Sequence, residues 1–299
     1  MHDGTAAEAR HRYSLRRLTS AVVLCLAVLA TLAAAHAGDM TKPRRIVSIH
    51  ACADQLLLAL ADREQIVALS PYATDERLSF LADRARDYRI ASGSAEETLQ
   101  MQPDLVLAGR FTKASTRAIL KRQGLHVETL APVRTLADSI AQIRQIAGLI
   151  GQPERGEALI ARIEKAADAL HGRFAARHAT ALLLQRRGYV TGRNSLVGDI
   201  LRLAGIENVA DFGPRPGGQI SLEAVLTARP DILIVAKAGP DASDQGVALL
   251  SHPALTRLYP PSRRLILPER LTVCGGPALP LALDHIGGEA ERVLAPRGQ

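Results

Sequence analysis

Glu96, six intervening residues and then Pro103-Asp104-Leu105-Val106-Leu107-Ala108 form the pattern that decides the fold, because the chain repeats it. The second copy is Glu223, again six intervening residues, and then Pro230-Asp231-Ile232-Leu233-Ile234-Val235. In each copy a short apolar-periodic stretch meets Pro-Asp, which does not continue a helix smoothly, and then an aliphatic run. Each copy therefore predicts a helix, a turn and a buried strand. Since such a unit cannot bury its apolar faces alone, the duplication predicts two similar α/β lobes, each with one acid at the same place.

Strand patterns and helical patterns alternate in both halves of the chain. The first half has strand patterns at 45–49, 66–69, 105–108 and 127–130, separated by helical patterns at 54–60, 113–123 and 135–150. The second half has a strand at 181–184, a polar loop at 188–195, a helix at 196–204, the second copy of the repeat, a strand at 264–267 and closing helices at 280–294. Such alternation is typical of a mostly parallel sheet with helices on its faces.

A continuous helical pattern separates the two halves. Apolar residues recur at helical spacing from Pro153 to near residue 177, and at 1.5 Å per residue this helix would be about 35 Å long. We therefore predict an α/β fold of two Rossmann-like lobes with central, mostly parallel sheets, joined by one long α-helix. The predicted limits are 38–152 for the first lobe, 153–178 for the helix and 179–299 for the second lobe. One helix packed along both lobes resists hinge closure, because bending it breaks hydrogen bonds and buried contacts together.

The N-terminal residues have the pattern of a secretory signal. Arg16-Arg17 precedes an uncharged apolar stretch at 21–34, and Ala35-His36-Ala37 follows as a small-x-small cleavage site. We predict a cleavable signal peptide at 1–37 and a mature protein in the periplasm. The apolar stretch is shorter than the roughly 20 residues that a membrane-spanning helix needs.

Composition and motifs argue against several classes of protein. The chain of 299 residues has a net charge of +7, but its basic residues are mixed with acidic ones and it contains no Trp, which argues against a nucleic-acid surface. It contains no Gly-x-Ser-x-Gly, His-Glu-x-x-His, Walker or Gly-x-Gly-x-x-Gly motif, so we do not expect an enzyme. Its histidines are scattered, whereas a receptor for a bare zinc or manganese ion needs about three of them with a carboxylate.

With its duplicated pattern, signal and connecting helix, the chain resembles the helical-backbone (class III) periplasmic substrate-binding proteins of ABC importers for vitamin B12, ferric siderophores and haem. The resemblance runs from Arg44 to the last helix. It implies a monomeric receptor, with no cofactor of its own, that delivers a metal chelate to an ABC importer permease in the inner membrane. It also implies that Glu96 and Glu223 dock on arginines of that permease. Cobalamin or a ferric siderophore is the expected cargo. Haem, a bare zinc or manganese ion, and an exported enzyme on the same fold are the alternatives.

Ligands of open α/β sheets bind outside the carboxyl ends of the strands, so the residues that follow each predicted strand are the candidates for ligand contact. Aromatic rings would offer flat faces to a large planar ligand, and arginines would bind its anionic groups, although each could equally be an ordinary loop residue. Tyr72 and Tyr189 could also ligate haem iron. The candidates are His50, Cys52, Tyr72, Ser92-Gly93-Ser94, Arg110, Phe111, Arg187, Tyr189, Arg193, Arg215, Lys237, Arg270 and Cys274.

Cys52 and Cys274 allow three interpretations. They could be two buried thiols, a disulfide across the cleft, or metal ligands together with His50, and we rank them in that order. A disulfide requires Cα atoms within about 7 Å and would tie the lobes together. Cys52 also opens the sequence Cys52-Ala53-Asp54-Gln55, which is similar to the signature of a subgroup whose ligand the resemblance does not identify.

Overall fold

The computed structural model describes residues 42–212, 215, 217–236, 250 and 252–295. Every element described below lies within the unit Pro43–Gln299. The signal peptide predicted at 1–37 lies outside the described residues, and so does Lys237. None of the helices in the described part of the chain is both long and apolar enough to cross a membrane.

The first half contains a four-stranded parallel sheet in the order β2 (Ile66–Ala68), β1 (Ile46–Ser48), β3 (Leu105–Gly109) and β4 (Val127–Leu130). Strand β3 is buried at every position, and its side chains alternate between two cores: Leu105 and Leu107 belong to one, Val106 and Ala108 to the other. A strand covered on both faces must be aliphatic throughout, which explains the uninterrupted run in the sequence. The elements are β1 (Ile46–Ser48), α1 (Ala51–Leu60), β2 (Ile66–Ala68), α2 (Ala82–Ala85), α3 (Ala95–Gln100), β3 (Leu105–Gly109), α4 (Ala114–Arg122), β4 (Val127–Leu130) and α5 (Leu136–Leu149).

A single helix, α6 (Pro153–Leu170), connects the two halves, and it packs against α5 of the first half and the last helix of the second. It is shorter than predicted, since it ends at Leu170 rather than near residue 177. Gly172 takes a left-handed φ of 63°, and its N–H donates to the carbonyl of Leu203 instead of continuing the helix. At 1.5 Å per residue the helix is about 27 Å long. The limits predicted for the two lobes stay a prediction.

The second half contains a mixed sheet in the order β10 (Arg264–Ile266), β9 (Ile232–Val235), β5 (Thr180–Leu184), β6 (Tyr189–Thr191) and β8 (Gly217–Gln219). Strand β7 (Glu207–Asn208) pairs with the start of β5. Strands β10, β9, β5 and β7 are parallel, whereas β6 and β8 add two antiparallel pairings. The polar loop predicted at 188–195 therefore contains a strand, because the turn at Arg186–Gly188 reverses the chain onto β5. The elements are β5 (Thr180–Leu184), β6 (Tyr189–Thr191), α7 (Leu196–Ala204), β7 (Glu207–Asn208), β8 (Gly217–Gln219), α8 (Leu222–Ala228), β9 (Ile232–Val235), α9 (Pro253–Leu258), β10 (Arg264–Ile266) and α10 (Leu279–Leu294).

The two copies of the repeated pattern fold alike. In each, the aspartate after the proline accepts a hydrogen bond from the backbone where the first strand of its half begins. Asp104 accepts from the N–H of Arg45 (3.0 Å), and Asp231 accepts from the N–H of Thr180 (2.9 Å). The strand that follows each aspartate then pairs in parallel with that first strand. The predicted α/β fold with two similar sheet-containing halves is confirmed.

The main hydrophobic core is continuous between the halves. Leu105 of the first sheet, Ile163 of α6 and Ile232 of the second sheet are all fully buried in one cluster. Moving the halves apart would expose part of this apolar surface, at a cost of about 25 cal/mol per Å². This continuity favours small relative motions of the two halves.

Candidate functional site

A cavity of about 820 Å³ lies at the carboxyl ends of the strands in the first half. This volume falls within the range of about 300–1,000 Å³ that is common for small-molecule sites. Its walls come from the residues that follow β1, β2 and β3 and from the start of α3, because parallel strands deliver their following loops to one edge of the sheet. Among the lining residues are His50, Tyr72, Ser92, Gly93, Ser94, Glu96, Phe111, Thr112 and Lys113.

His50 follows β1, and its imidazole lies against the backbone of Gly109 at the end of β3. A Cβ at position 109 would come within 2.2 Å of the ring carbon Cδ2, so glycine is what leaves room for the ring. Nδ1 is buried and has no hydrogen-bond partner among the described residues. Burial lowers the pKa of His50, so the ring is neutral near pH 7. Nδ1 is not open to the cavity, so the neutral ring contributes to the cavity wall through its other atoms.

Tyr72 and Phe111 present aromatic surface on the wall of the same cavity. Tyr72 is 53% exposed and Phe111 is 84% exposed. Exposed apolar surface on a concave wall is typical of a site that a ligand covers. Thr112 and Lys113 line the cavity next to Phe111 but were not predicted, although their place in the loop after β3 was a usable signal.

Tyr189 lies on the other half of the protein. It begins β6, opposite Gln219 of β8, and is 40% exposed. A Cβ at Gly217 would approach the Tyr189 hydroxyl to 2.9 Å, so the ring packs closely over the neighbouring strand. Tyr189 is not among the residues that line the 820 Å³ cavity of the first half.

Four predicted ligand residues are arginines whose side chains have no hydrogen-bond or ion-pair partner within the part of the chain that the structure describes. They are exposed, and they are Arg110, Arg187, Arg215 and Arg270. Arg193 differs, because its guanidinium pairs with Glu207 at 2.8 Å and with Asp211 at 3.4 Å. We conclude that Arg193 stabilises its own loop, whereas the other four keep their donors available to a bound anion.

Cys52 and Cys274 are joined by a disulfide, with Cα atoms 5.3 Å apart. The disulfide, which we ranked second, is therefore confirmed. The interpretation ranked first, two buried free thiols, is wrong, and so is the third, metal ligation by the two thiolates. The two cysteines come together because Gly276 packs on Leu56 of α1 and donates its N–H to the Ser139 hydroxyl at 2.8 Å. The bridge thus links the start of α1 to the segment before α10. Neither cysteine lines the cavity.

Two polar residues that follow Cys52 have structural roles that the sequence did not indicate. Asp54 is completely buried, and this burial raises the pKa of its carboxyl to about 7, although hydrogen bonds with Ser48 and Ser70 oppose the shift. Gln55 is 1% exposed; its side-chain amide donates to the carbonyl of Leu78, and its side-chain oxygen accepts from the N–H of Phe80. Two polar residues directly before an aliphatic run on one helix were the signal that could have indicated these buried roles.

Glu96 and Glu223 are exposed and hold the same position in equivalent helices. Each is the second residue of its helix, α3 or α8, and each helix has a serine N-cap whose hydroxyl accepts a backbone hydrogen bond. Negative charge at this position is favoured by the helix dipole. A hydrogen bond from its own backbone, and then one from Ser221, lower the pKa of Glu223, so it is ionised at neutral pH.

Both acids lie near the edge of a sheet where the strands end. Glu96 contributes to the cavity lining. In the second half, Ile220 lies just before the helix of Glu223 and donates its N–H at 2.9 Å to the carbonyl of Gly188, in the turn after β5. The repeat thus places one carboxylate near the carboxyl edge of each sheet.

Among the described residues, no group of three or more His, Cys, Asp or Glu side chains is arranged to hold a metal ion. The alternative of a receptor for a bare zinc or manganese ion therefore lacks a donor set in that part of the chain. A metal in the cargo would arrive inside its own chelator, with His50 as one available donor from the protein.

Comparison with known proteins gives consistent matches. A family model described as "Periplasmic binding protein" matches residues 46–260. A cobalamin-binding protein from Halobacterium salinarum is 22% identical over 267 residues, which cover 86% of this chain and 68% of that protein. The structure of a periplasmic haem-binding protein from Roseiflexus sp. RS-1 matches with a TM-score of 0.69 and 28% identity, over 84% of this chain and 98% of that one. The periplasmic vitamin B12-binding protein of Vibrio cholerae shares the fold, with a TM-score of 0.67 and 16% identity over 85% of this chain and 99% of that one.

Proposed function

This chain belongs to the periplasmic binding protein family, and we propose that it captures cobalamin or a ferric siderophore and delivers this chelate to an ABC importer. Proteins of this family are periplasmic and bind substrates for importer permeases. We further propose that the chain acts as a monomer without enzymatic activity, and that residues 1–37 direct its export and are then removed.

The observation that carries the proposal is the composition of the cavity wall. About 820 Å³ of space is bordered by the exposed rings of Tyr72 and Phe111 and by the neutral imidazole of His50. Flat apolar faces suit a large planar ligand, and a neutral imidazole suits a metal centre or a hydrogen-bond donor. Arg110, directly after β3 and before Phe111, is exposed and is not itself among the residues that line the cavity. Its guanidinium has no partner among the described residues, and we propose that it binds a phosphate or carboxylate of the ligand.

Cobalamin is our first candidate because relatives that match much of this chain are named cobalamin-binding or vitamin B12-binding proteins. These include the Halobacterium salinarum protein and a vitamin B12-binding protein from Pectobacterium carotovorum, which is 24% identical over 202 residues. A cobalamin would use both the flat faces and a free arginine, since it carries a corrin ring and a phosphate.

Haem is the second candidate, and Tyr72 is the residue that favours it. Tyr72 is 53% exposed and lines the cavity, and we propose that its oxygen would reach a metal inside a planar ligand. Tyrosine is one of the side chains that hold haem iron. The match to a haem-binding protein at 28% identity supports the same alternative.

We propose that Glu96 and Glu223 dock the loaded protein on the permease. Both carboxylates are exposed, and each occupies the second position of its helix. Two acids held at matching places on two related halves would pair with arginines at matching places on a transporter. The Cys52–Cys274 bridge fixes one point between the halves, so ligand release would widen the cleft away from that bridge.

The proposal is tested by offering the purified mature protein cyanocobalamin, a ferric hydroxamate siderophore and haemin in separate samples. After gel filtration, the visible absorption of the protein peak identifies the bound compound. We expect one equivalent of cyanocobalamin or of the siderophore, with a rise in Tm by mass action. An Arg110→Glu variant should weaken binding at least tenfold, while Arg162→Glu, at an exposed position of α6, should leave it unchanged. Co-elution of haemin alone would replace the first candidate by the second, and absence of all three would contradict the proposal.

A further inference from the structure

One buried carboxylate is linked to two different loops of the cavity. Asp54 in α1 is completely buried, and so are the two serines that hydrogen-bond to it, Ser48 and Ser70. Ser48 stands two residues before His50, and Ser70 stands two residues before Tyr72. We propose that Asp54 is a positioning residue of the binding site, which holds His50 and Tyr72 in the arrangement that the ligand requires. This inference depends on one part of the proposed function, namely that a ligand contacts His50 and Tyr72.

The link from Asp54 to Tyr72 runs through Ser70. The backbone N–H of Ser70 donates to Oδ1 of Asp54 at 3.0 Å, and its hydroxyl donates to Oδ2 at 2.5 Å. The same hydroxyl oxygen accepts from the N–H of Tyr72 at 3.3 Å. Two successive hydrogen bonds therefore fix the backbone of Tyr72 to the carboxylate.

The link from Asp54 to His50 runs through Ser48. The Ser48 side chain hydrogen-bonds to Asp54, and its hydroxyl lies 3.1 Å from the carbonyl and 3.4 Å from the N–H of His50. Because a hydroxyl has one proton to donate, a bond from Ser48 to the carboxylate leaves the N–H of His50, which donates to Ser48 Oγ, as the link to His50. Removing the carboxylate would release both loops at once.

Gln55, the next residue in α1, holds the far end of the Tyr72 loop. Its amide donates to the carbonyl of Leu78 at 3.3 Å, and its oxygen accepts from the N–H of Phe80 at 3.2 Å. Leu78 itself lines the cavity. The loop that carries Tyr72 is therefore tied at both ends to two adjacent residues of one helix.

Core stability alone does not account for a carboxylate at this place. Asp54 stands between the buried Ala53 and, after Gln55, the buried Leu56 and Leu57 of α1, so an aliphatic side chain at position 54 would also be buried. Burying a carboxyl costs free energy even when its hydrogen bonds are satisfied, and replacing buried polar groups by apolar ones is often neutral or stabilising. A fully bonded buried network fixes geometry instead, and here the fixed segments are two walls of the cavity.

The test compares Asp54→Leu with Asp54→Asn, which is isosteric and keeps an oxygen for the Ser70 N–H. Gln65→Leu is the matched control, because Gln65 is a buried polar residue that bonds the backbone of Pro43 and Ile150 away from the cavity. Amide hydrogen exchange at 49–51 and 72–73 measures loop order without any ligand, and cyanocobalamin titration measures affinity. We expect Asp54→Leu to speed exchange in both segments at least tenfold and to weaken binding at least tenfold. Asp54→Asn should stay within threefold of the wild type, and Gln65→Leu should change neither segment.

Two single-serine variants separate positioning from general destabilisation. Ser70→Ala should speed amide exchange in the segment that follows Ser70 and not at 49–51, and Ser48→Ala should speed exchange at 49–51 alone. Both variants can still be measured if Asp54→Leu fails to fold. Unchanged exchange in both segments of Asp54→Leu, or equal loosening of both by either serine variant, would overturn the proposal. If the wild type binds no cyanocobalamin, cobalamin is excluded as the cargo, and the exchange data still decide the role of Asp54.

Discussion

Gln102 and Arg229 adopt the same left-handed backbone conformation, with φ of 46° and 43°, directly before the Pro-Asp of each repeat. This conformation costs an L-residue roughly 1–2 kcal/mol. Its occurrence at both equivalent positions shows that the turn belongs to the repeated unit, since it ends the helix and directs the chain into the buried strand. The similarity of the halves thus extends to a backbone conformation that neither side chain favours.

The stability of variants at Gln102 should depend on how well the new residue adopts this left-handed conformation. Gln102→Val should lower the free energy of unfolding by about 1–2 kcal/mol, because a β-branched residue is strained at positive φ. Gln102→Gly should be neutral or stabilise by less than about 1 kcal/mol, since glycine adopts this φ without strain. Urea denaturation measures the stability of both variants. Equal stability of the two would contradict the left-handed conformation of residue 102.

The disulfide should contribute strongly to stability, because it closes a loop between residues 222 positions apart. Changing both Cys52 and Cys274 to serine should lower the free energy of unfolding by about 2–5 kcal/mol. Reductant should bring the wild type to the stability of this variant and leave the variant unaffected. Denaturation curves with and without dithiothreitol provide the check, and a wild type that is insensitive to reductant would show that the bridge does not form.

Asp54 should make stability fall as pH rises from about 4 to about 7. Its pKa is raised from an ordinary 3.8 to about 7 by burial, so over this range the folded protein keeps a proton that the unfolded chain has released. Its contribution is therefore fully present below pH 4 and is lost by pH 7, with a slope of at most about 1.4 kcal/mol per unit.

Comparison of Asp54→Asn with the wild type isolates that contribution. Burial lowers the pKa of His50, so the contribution of His50 to stability rises with pH. Because both proteins contain His50, this contribution cancels in the comparison. The stability of the wild type relative to the variant should decline between pH 4.5 and 7.5, as measured by urea midpoints. A constant difference across that range would show that Asp54 is ionised throughout.

Gly109→Ala should weaken ligand binding at least tenfold. The new Cβ would lie 2.2 Å from the His50 ring, which must then leave its place on the cavity wall. Gly148→Ala in α5 is the matched control, because nothing lies within 4 Å of the added Cβ there, and it should raise stability by about 0.5–1 kcal/mol without affecting affinity. Titration with cyanocobalamin measures the affinity of both variants. Wild-type affinity in Gly109→Ala would show that His50 is not part of the binding site.

The repeat was predictable because its signals are local. Pro103-Asp104 and Pro230-Asp231 each stop a helix and precede a run of buried aliphatic residues, so a few neighbouring residues determine helix, turn and strand. The antiparallel strand Tyr189–Thr191 was missed because it is short and polar, and its partner is the glycine-containing strand Gly217–Gly218-Gln219, which lacks a strand pattern. The early end of α6 was missed because it depends on the contact of Gly172 with Leu203.

The site was predictable only in part, for a related reason. Parallel strands bring the residues that follow them to one edge, and this rule placed His50, Tyr72 and Phe111 on the cavity wall from sequence order alone. The disulfide and the buried Asp54 depend on contacts between distant parts of the chain. No local pattern distinguishes a cysteine that meets its partner 222 positions away from a buried thiol.

The central claim is that two related halves each present one acid to a membrane transporter, and charge reversal tests it most directly. Glu223→Arg and Glu96→Arg should each reduce ligand uptake through the cognate importer in proteoliposomes at least tenfold, while Glu223→Arg keeps its affinity for ligand. Glu154→Arg is the matched control, because Glu154 is likewise the exposed second residue of a helix, α6. Uptake at the wild-type rate with both Glu96 and Glu223 reversed would contradict the account.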